Sequence, residues 1–150
     1  MKRFVMIGNG TNKKSLAYVD NVVHFITCCL TSSKRFAIYN YVDDPEWDMN
    51  SLVSFVNKRL YNKNEVGLRI PYLMGLMAGY VADFVAKVFG VKFGISSVRI
   101  KKFCSISSFS SKKNEVEGFD APFSLAEGID RTLESEFINP NAQREVFFTE

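Results

Sequence analysis

The stretch Ser15-Leu16-Ala17-Tyr18-Val19-Asp20-Asn21-Val22-Val23 decides how the first part of the chain is organised. Residues 15–19 alternate and are rich in strand formers, which predicts a strand. Asp20 follows where a helix should begin, because its carboxylate can accept a hydrogen bond from a free first-turn amide and its charge suits the positive end of a helix. The stretch therefore predicts a strand that gives way to a helix, just after the turn Gly8-Asn9-Gly10.

Local patterns predict the remaining elements of a mixed α/β fold with few short strands and about five helices. Asp48, Ser96 and Ser124 are expected to cap helices, and Glu127 completes a capping box with Ser124. Residues 36–41 are apolar on both faces, which predicts an interior strand. The other predicted strands are 4–7, 67–70 and, in the tail, 144–149; the predicted helices are 20–30, one from Asp48 to about Leu60, 72–89, 98–104 and one from Ser124 toward Phe137.

Length and composition are those of one ordinary globular domain. The chain has 150 residues, of which 47% are hydrophobic and 23% charged, which argues against disorder. The net charge of +3 fits an anionic small ligand as well as a nucleic acid. The basic clusters are small and no nucleic-acid motif accompanies them, so we expect no nucleic-acid partner. The 14 phenylalanines indicate a bulky core or an apolar surface that another piece of protein covers.

The cysteine and acidic positions argue against disulfides and metals. Three cysteines, two of them adjacent at Cys28 and Cys29, together with the lack of a signal peptide, predict a reducing cytoplasm. A C-x-x-C spacing is missing and His24 is the single histidine, so we expect no metal site. His24 is interpreted as a packed helix residue. The run Asp43-Asp44-Pro45 is interpreted as a turn with side-chain-to-backbone bonds rather than an acid/base pair.

The longest apolar segment, residues 72–89, raises the question of a membrane span. Asp83 and Lys87 interrupt it, and its apolar residues form one stripe opposite a face of small residues that includes Gly75 and Gly79. This pattern predicts a helix packed on both sides in a soluble domain, which argues against a span. A small-residue face that meets a partner helix, or that rests on a membrane surface, stays open as an alternative.

Two basic sets lie far apart in the sequence: Lys13 and Lys14 before one strand, and Arg99, Lys101 and Lys102 on one helix. If folding brings them together, they form a pocket for a diphosphate, in which arginine supplies a bidentate fork and lysine a point charge. The alternative is two separate solvated basic faces.

Several motifs resemble one family in their order and spacing. Gly8-x-Gly10, a basic residue and then Tyr18-Val19-Asp20-Asn21-Val22 resemble the start of the substrate-binding half of extended short-chain dehydrogenases/reductases, the NAD(P)-dependent sugar-nucleotide epimerases and dehydratases. The segment 39–43 and the closing segment 118–129 are similar to that family too. The resemblance spans nearly all 150 residues.

The resemblance implies roles for three residues. Lys14 stands five positions before Val19, where the family has a basic residue on the nucleotide diphosphate, and Arg99 resembles a second basic contact. The family often has an acidic residue on the ribose three positions later, where this chain has Lys102; this departure implies a different nucleotide or an extra phosphate contact. The expected substrate is a nucleotide-diphospho-sugar bound by Lys14, Arg99 and Lys102.

Two of the family's motifs are missing from this sequence. It contains neither the cofactor fingerprint Gly-x-x-Gly-x-x-Gly nor the catalytic Tyr-x-x-x-Lys. We therefore interpret residues 1–150 as a single substrate-binding domain, the C-terminal part of a larger NAD- or NADP-dependent enzyme whose Rossmann half lies upstream or in another chain. This chain alone is expected to bind no NAD or NADP, to have no catalytic residues and to be inactive, and its apolar surface leaves room for homo-oligomers.

Two other functions stay open from the sequence. One is a stand-alone nucleotide-binding module without catalysis. The other is an interaction module that uses the segment 72–89 on a partner protein or a membrane.

Overall fold

The computed structural model describes residues 4–34, 36–91, 93–111 and 116–140. Over these residues the chain forms five α-helices and four short strands, which confirms the predicted mixed α/β class. The predicted strand 144–149 lies outside the described residues. The elements are β1 (Val5–Ile7), β2 (Lys13–Lys14), α1 (Val19–Thr31), β3 (Trp47–Asp48), α2 (Met49–Tyr61), β4 (Leu68–Ile70), α3 (Tyr72–Phe89), α4 (Ser97–Cys104) and α5 (Leu125–Leu133), which continues as a π-helical turn, Glu134–Ile138.

The strands form two small pairs rather than one sheet. β1 and β4 pair in parallel with Met6 opposite Arg69, and β2 and β3 pair in antiparallel fashion with Lys14 opposite Trp47. Met6 is fully buried and forms a core cluster with two residues of α2, Met49 and Val53. The core thus packs α2 against the parallel pair.

The start of α1 differs from the prediction. Residues 15–18 form no strand, and the helix begins at Val19, so Asp20 lies in its first turn and does not cap it. The buried carboxylate of Asp43 accepts a 2.6 Å hydrogen bond from the backbone N–H of Tyr18, the residue before the helix. A side chain from a distant turn therefore holds this helix end in place, which a local pattern cannot show.

The predicted interior strand 36–41 is wrong. These residues form no strand, and Phe36 and Ile38 are 83% and 74% exposed. Tyr39 and Tyr41 instead pack their rings on Phe25 of α1, with centroids 6.0 and 4.8 Å apart. The tyrosines of this segment therefore pack on α1, and the segment pairs with no neighbouring strand in the described structure.

The predicted caps are confirmed. Asp48 accepts a 2.8 Å hydrogen bond from the Ser51 N–H, and Ser96 accepts one of 3.2 Å from the Arg99 N–H. Ser124 and Glu127 form the expected capping box of α5. At the other end of a helix, Gly90 stops α3 in a left-handed conformation, with φ of 66°.

The prediction that α3 packs on both sides is wrong, because only its small-residue face packs. Gly75 and Gly79 are buried, the first against Ile7 and the second against Ser97 and Ile100. The apolar stripe on the other side is exposed in the described structure. By length and composition alone, α3 is the one described helix that could cross a membrane.

Candidate functional site

A cavity of about 850 Å³ opens at the carboxyl ends of β1 and β4, where α3 begins. Ligands of open α/β sheets bind outside the carboxyl ends of strands, and this volume is in the usual range for small-molecule sites. The lining residues come from the ends of both strands and from the facing end of α4: Ile7, Gly8, Asn9, Asn12, Arg69, Ile70, Pro71, Tyr72, Lys101, Cys104 and Ser105.

Two basic side chains line this cavity. Arg69 of β4 donates a 2.8 Å hydrogen bond from Nη1 to the backbone oxygen of Asn9, which holds the guanidinium against the wall. Lys101 of α4 has a raised pKa, chiefly because of a hydrogen bond with the side chain of Tyr80, so it stays cationic. None of the described residues that line the cavity is acidic. The wall therefore favours an anion.

The N-terminus of α3 adds to this positive potential. Pro71 precedes the helix, and among the described residues no side chain caps this end. Pro71 and Tyr72 both line the cavity. Because the first amides of a helix lack intrahelical partners and carry a partial positive charge, this end suits a phosphate group.

The rest of the wall is held by contacts between the turn after β1 and the end of α4. Gly8 adopts φ of 83° and donates its N–H to the Ile70 oxygen at 2.9 Å, which closes the turn over the strand pair. The buried Asn12 donates to the Phe103 oxygen at 2.8 Å. Burial raises the pKa of the Cys104 thiol, whose Sγ lies 3.4 Å from the Ile7 oxygen.

The structure brings two of the three predicted site residues together. Lys14 Nζ donates a 2.8 Å hydrogen bond to the backbone oxygen of Lys102 and lies 3.3 Å from Ser105 Oγ, which lines the cavity. Arg99 lines a separate cavity with Asp83 and donates from Nη1 to the Gly94 oxygen at 3.1 Å. The roles of Lys14, Arg99 and Lys102 at a diphosphate stay predictions.

Arg69 is a site residue that the sequence patterns did not predict. A single arginine in the short apolar stretch before Pro71 was the available signal, since a strand that leads directly into a helix places its last residues beside the helix N-terminus. Lys101 belonged to the second basic set of the conditional diphosphate pocket, but the resemblance gave it no role.

Other candidate residues have structural partners. His24 packs its ring on Phe119 with centroids 5.6 Å apart, and its Nε2 lies 3.8 Å from Cys28 Sγ. Asp43 accepts bonds from the side chain of Asn21 and the Tyr18 N–H, as the turn interpretation expects. Within the described part of the chain, no three His, Cys, Asp or Glu residues are grouped to hold a metal ion.

Comparison with known proteins relates this chain to an epimerase. It matches the C-terminal portion of an epimerase. The similar protein is the N-acetyl-alpha-D-glucosaminyl-diphospho-ditrans,octacis-undecaprenol 4-epimerase of Escherichia coli O157:H7, which is 42% identical over 149 residues. The match covers 99% of this chain and 45% of that relative, so the chain spans less than half of the relative's length. No protein-family model matches the chain.

Proposed function

We propose that this chain binds the diphosphate of a diphospho-sugar as the substrate-binding part of an epimerase. The observation that carries the proposal is the cavity in which Arg69 and Lys101 meet the uncapped N-terminus of α3. A guanidinium binds two phosphate oxygens at once, and a lysine adds a point charge. The similarity to an epimerase whose name includes a diphospho-sugar supports the same ligand chemistry here.

We further propose that the sugar is carried on a polyprenol rather than on a nucleotide. The relative's name places undecaprenol beyond the diphosphate. In the family that the sequence resembles, an acidic residue three positions after Arg99 contacts the nucleotide ribose, and Lys102 occupies that place. A polyprenyl diphosphate has no ribose, so it does not need this contact. A nucleotide-diphospho-sugar is the second candidate, supported by the Lys14 motif.

NAD or NADP, which the resemblance implies, does not fit the described residues. β1 leads through the turn Gly8-Asn9-Gly10 to β2, and β4 leads through Pro71 into α3, so neither strand of the parallel pair enters a helix through a glycine-rich turn. We propose that the cofactor and the acid/base groups lie outside the described residues, and that this chain binds and orients substrate without catalysing the reaction alone. A cytoplasmic location stays a prediction.

The test is a binding titration with two soluble probes. One is N-acetylglucosaminyl diphosphate on a short prenol, and the other is UDP-N-acetylglucosamine. We expect saturable binding of the prenol probe and weaker binding of the nucleotide probe. Loss of a charge-assisted, bidentate contact in Arg69→Ala should raise the Kd for the prenol probe about tenfold or more. Lys63→Ala, an exposed position in the connection after α2, is the matched control and should leave Kd unchanged.

The outcomes separate the two carriers. Tighter binding of UDP-N-acetylglucosamine would favour the nucleotide carrier and overturn the polyprenol assignment. Failure of both probes to bind, or an Arg69→Ala variant that binds like the unaltered chain, would overturn the diphosphate site itself.

A further inference from the structure

A stripe of apolar side chains runs along α3 on the side opposite Gly75 and Gly79. Its members recur at the spacing of one helix face, and each is at least 50% exposed in the described structure. The residues of this α3 stripe are Leu73, Met77, Tyr80, Val81, Phe84 and Val88. A contiguous apolar surface of this kind marks a place where the protein meets something else.

The segment that carries the stripe contains more basic than acidic residues. Residues 72–104 contain one acidic residue, Asp83, and five basic ones, whereas the whole chain has a net charge of +3. The carboxylate of Asp83 accepts a 3.0 Å hydrogen bond from the Ser97 N–H. Lys101 Nζ lies 5.2 Å from the centroid of the Tyr80 ring, at the edge of the stripe. The basic residues of the segment are Lys87, Lys92, Arg99, Lys101 and Lys102.

α1 provides a contrast within the same molecule. It also exposes apolar residues along one side, including Val23 and Ile26 at 56% and 50%. Its sequence, however, has no lysine or arginine between Val19 and Thr31, and Asp20 is in its first turn. Apolar exposure is therefore common to both helices. α1 itself carries no basic residue, whereas Lys87 lies in α3 and Lys101 lies over the Tyr80 ring at the edge of the stripe.

We propose that the α3 stripe lies on the surface of an anionic lipid bilayer. An apolar helix face with basic residues beside it is the pattern of an interfacial helix, because the apolar side enters the acyl boundary while the cations meet anionic headgroups. The helix lies along the surface and does not cross the bilayer, since Gly75 and Gly79 are packed against Ile7 and Ser97.

The stripe also adjoins the proposed site. Tyr72 begins α3 and lines the cavity, and Lys101 both lines the cavity and contacts Tyr80 of the stripe. This last step rests on the proposed function. A polyprenol remains in the bilayer, and the stripe brings the cavity to the headgroup level where the diphosphate lies, so the site gains access to its substrate.

The test is co-sedimentation of this chain with vesicles of phosphatidylglycerol and with vesicles of phosphatidylcholine. We expect sedimentation with phosphatidylglycerol vesicles that weakens as salt rises, and less with phosphatidylcholine. The double substitution Val81→Ser and Phe84→Ser should lower partitioning into the vesicles about tenfold or more, because it removes two apolar side chains that the bilayer would bury. The matched control is Val23→Ser with Ile26→Ser on α1, which should sediment like the unaltered chain.

Each alternative occupant has its own result. If the α1 control loses as much vesicle binding as the α3 variant, or if the unaltered chain does not sediment with vesicles, the inference is overturned. If the α3 substitutions change only the mass measured by light scattering, a second copy covers the stripe, and the inference is again overturned. The proposed function is tested separately. Arg69→Ala should lose binding of the soluble diphosphate probe and keep vesicle binding, whereas the α3 double substitution should lose vesicle binding and keep binding of the probe.

Discussion

The side-chain amide of Asn21 donates a 2.9 Å hydrogen bond to the carboxylate of Asp43, and the two residues are 0% and 2% exposed. The same carboxylate accepts bonds from the Tyr18 N–H and the Tyr41 hydroxyl. Asn21 also donates to the Phe123 oxygen at 2.8 Å and accepts from the Phe123 N–H at 3.1 Å. One buried amide thus joins α1 to the turn before β3 and to the start of α5.

Replacing Asn21 with alanine should lower the free energy of unfolding by about 2–4 kcal/mol, because it leaves a buried carboxylate and two backbone groups with fewer partners. Urea unfolding followed by circular dichroism measures the change. Asn64→Ala, at an exposed position in the connection after α2, should stay within about 0.5 kcal/mol. Equal effects from the two substitutions would show that the buried amide is not a structural link.

Elements held by short-range interactions were predictable from the sequence, and those held by long-range interactions were not. The caps at Asp48, Ser96 and Ser124 were predictable, because each side chain bonds to an amide three residues later. The start of α1 was not predictable, since Asp43 reaches Tyr18 from 25 positions away. The predicted strand 36–41 was wrong for a related reason. Its composition suits a strand, but the rings of its tyrosines pack on α1.

The candidate site shows the same limit. Sequence patterns identified basic residues and a helix that starts near Pro71, but the cavity depends on the parallel pairing of β1 with β4. That pairing places Arg69 opposite Met6, and the whole of α1 and α2 lies between the two strands along the chain. The alternation that reveals a strand does not reveal its partner.

Gly79 should tolerate no side chain. A Cβ there would lie 2.8 Å from Cα and N of Ser97, and backbone atoms cannot move aside as a flexible side chain can. Gly79→Ala should therefore destabilise the chain by about 1 kcal/mol or more, even after the gain that alanine brings to a helix. Gly94→Ala is the control, because a Cβ at Gly94 meets nothing within 4 Å. A Gly79→Ala variant as stable as the control in urea would contradict the close packing of α3 on α4.

Stability should fall in acid through two helix caps. Hydrogen bonds from Ser51 lower the pKa of Asp48, and the backbone N–H of Ser124 lowers the pKa of Glu127. A carboxyl group whose pKa is lower in the folded state stabilises the fold above its unfolded value, and this contribution is lost as pH falls through the folded value. The urea midpoint should therefore drop as pH falls below about 4.

The matched variant for this pH effect is Asp48→Asn with Glu127→Gln, which keeps hydrogen-bonding oxygens at both caps and removes their titration. Its urea midpoint should fall less steeply below about pH 4 than that of the unaltered chain. Parallel curves for the two proteins would mean that other carboxylates govern the acid response.

Cys104 should report occupancy of the cavity. Burial raises the pKa of its thiol, so less thiolate is present at a given pH, and alkylation by iodoacetamide should be slower than that of an unperturbed thiol. Because Cys104 lines the cavity, the prenol diphospho-sugar probe should slow its labelling further. Peptide mass spectrometry measures the labelling rate of each cysteine. Cys28 is the internal control, because its Sγ faces Gly118 and its labelling should not respond to the probe. Unchanged labelling of Cys104 at saturating probe would place the ligand elsewhere.

Arg99 separates the role implied by family resemblance from the role that the geometry supports. It lines a cavity with Asp83, whereas Arg69 lines the cavity at the start of α3. Arg99→Ala should therefore change the Kd of the diphosphate probe less than about twofold, against the loss of about tenfold or more expected for Arg69→Ala.

Lys14 and Lys102 extend the same comparison. Lys14 bonds to the backbone oxygen of Lys102, and alanine at position 102 retains that oxygen, so Lys102→Ala should preserve the contact and change the Kd little. Lys14→Ala removes the contact with Ser105 on the cavity wall. It should raise the Kd of the probe by an amount between those expected for the two arginine variants. An Arg99→Ala loss as large as that of Arg69→Ala would mean that α4 turns when the ligand binds and brings Arg99 to the diphosphate, as the resemblance implies. The cavity at the start of α3 would then be half of a site that the ligand completes.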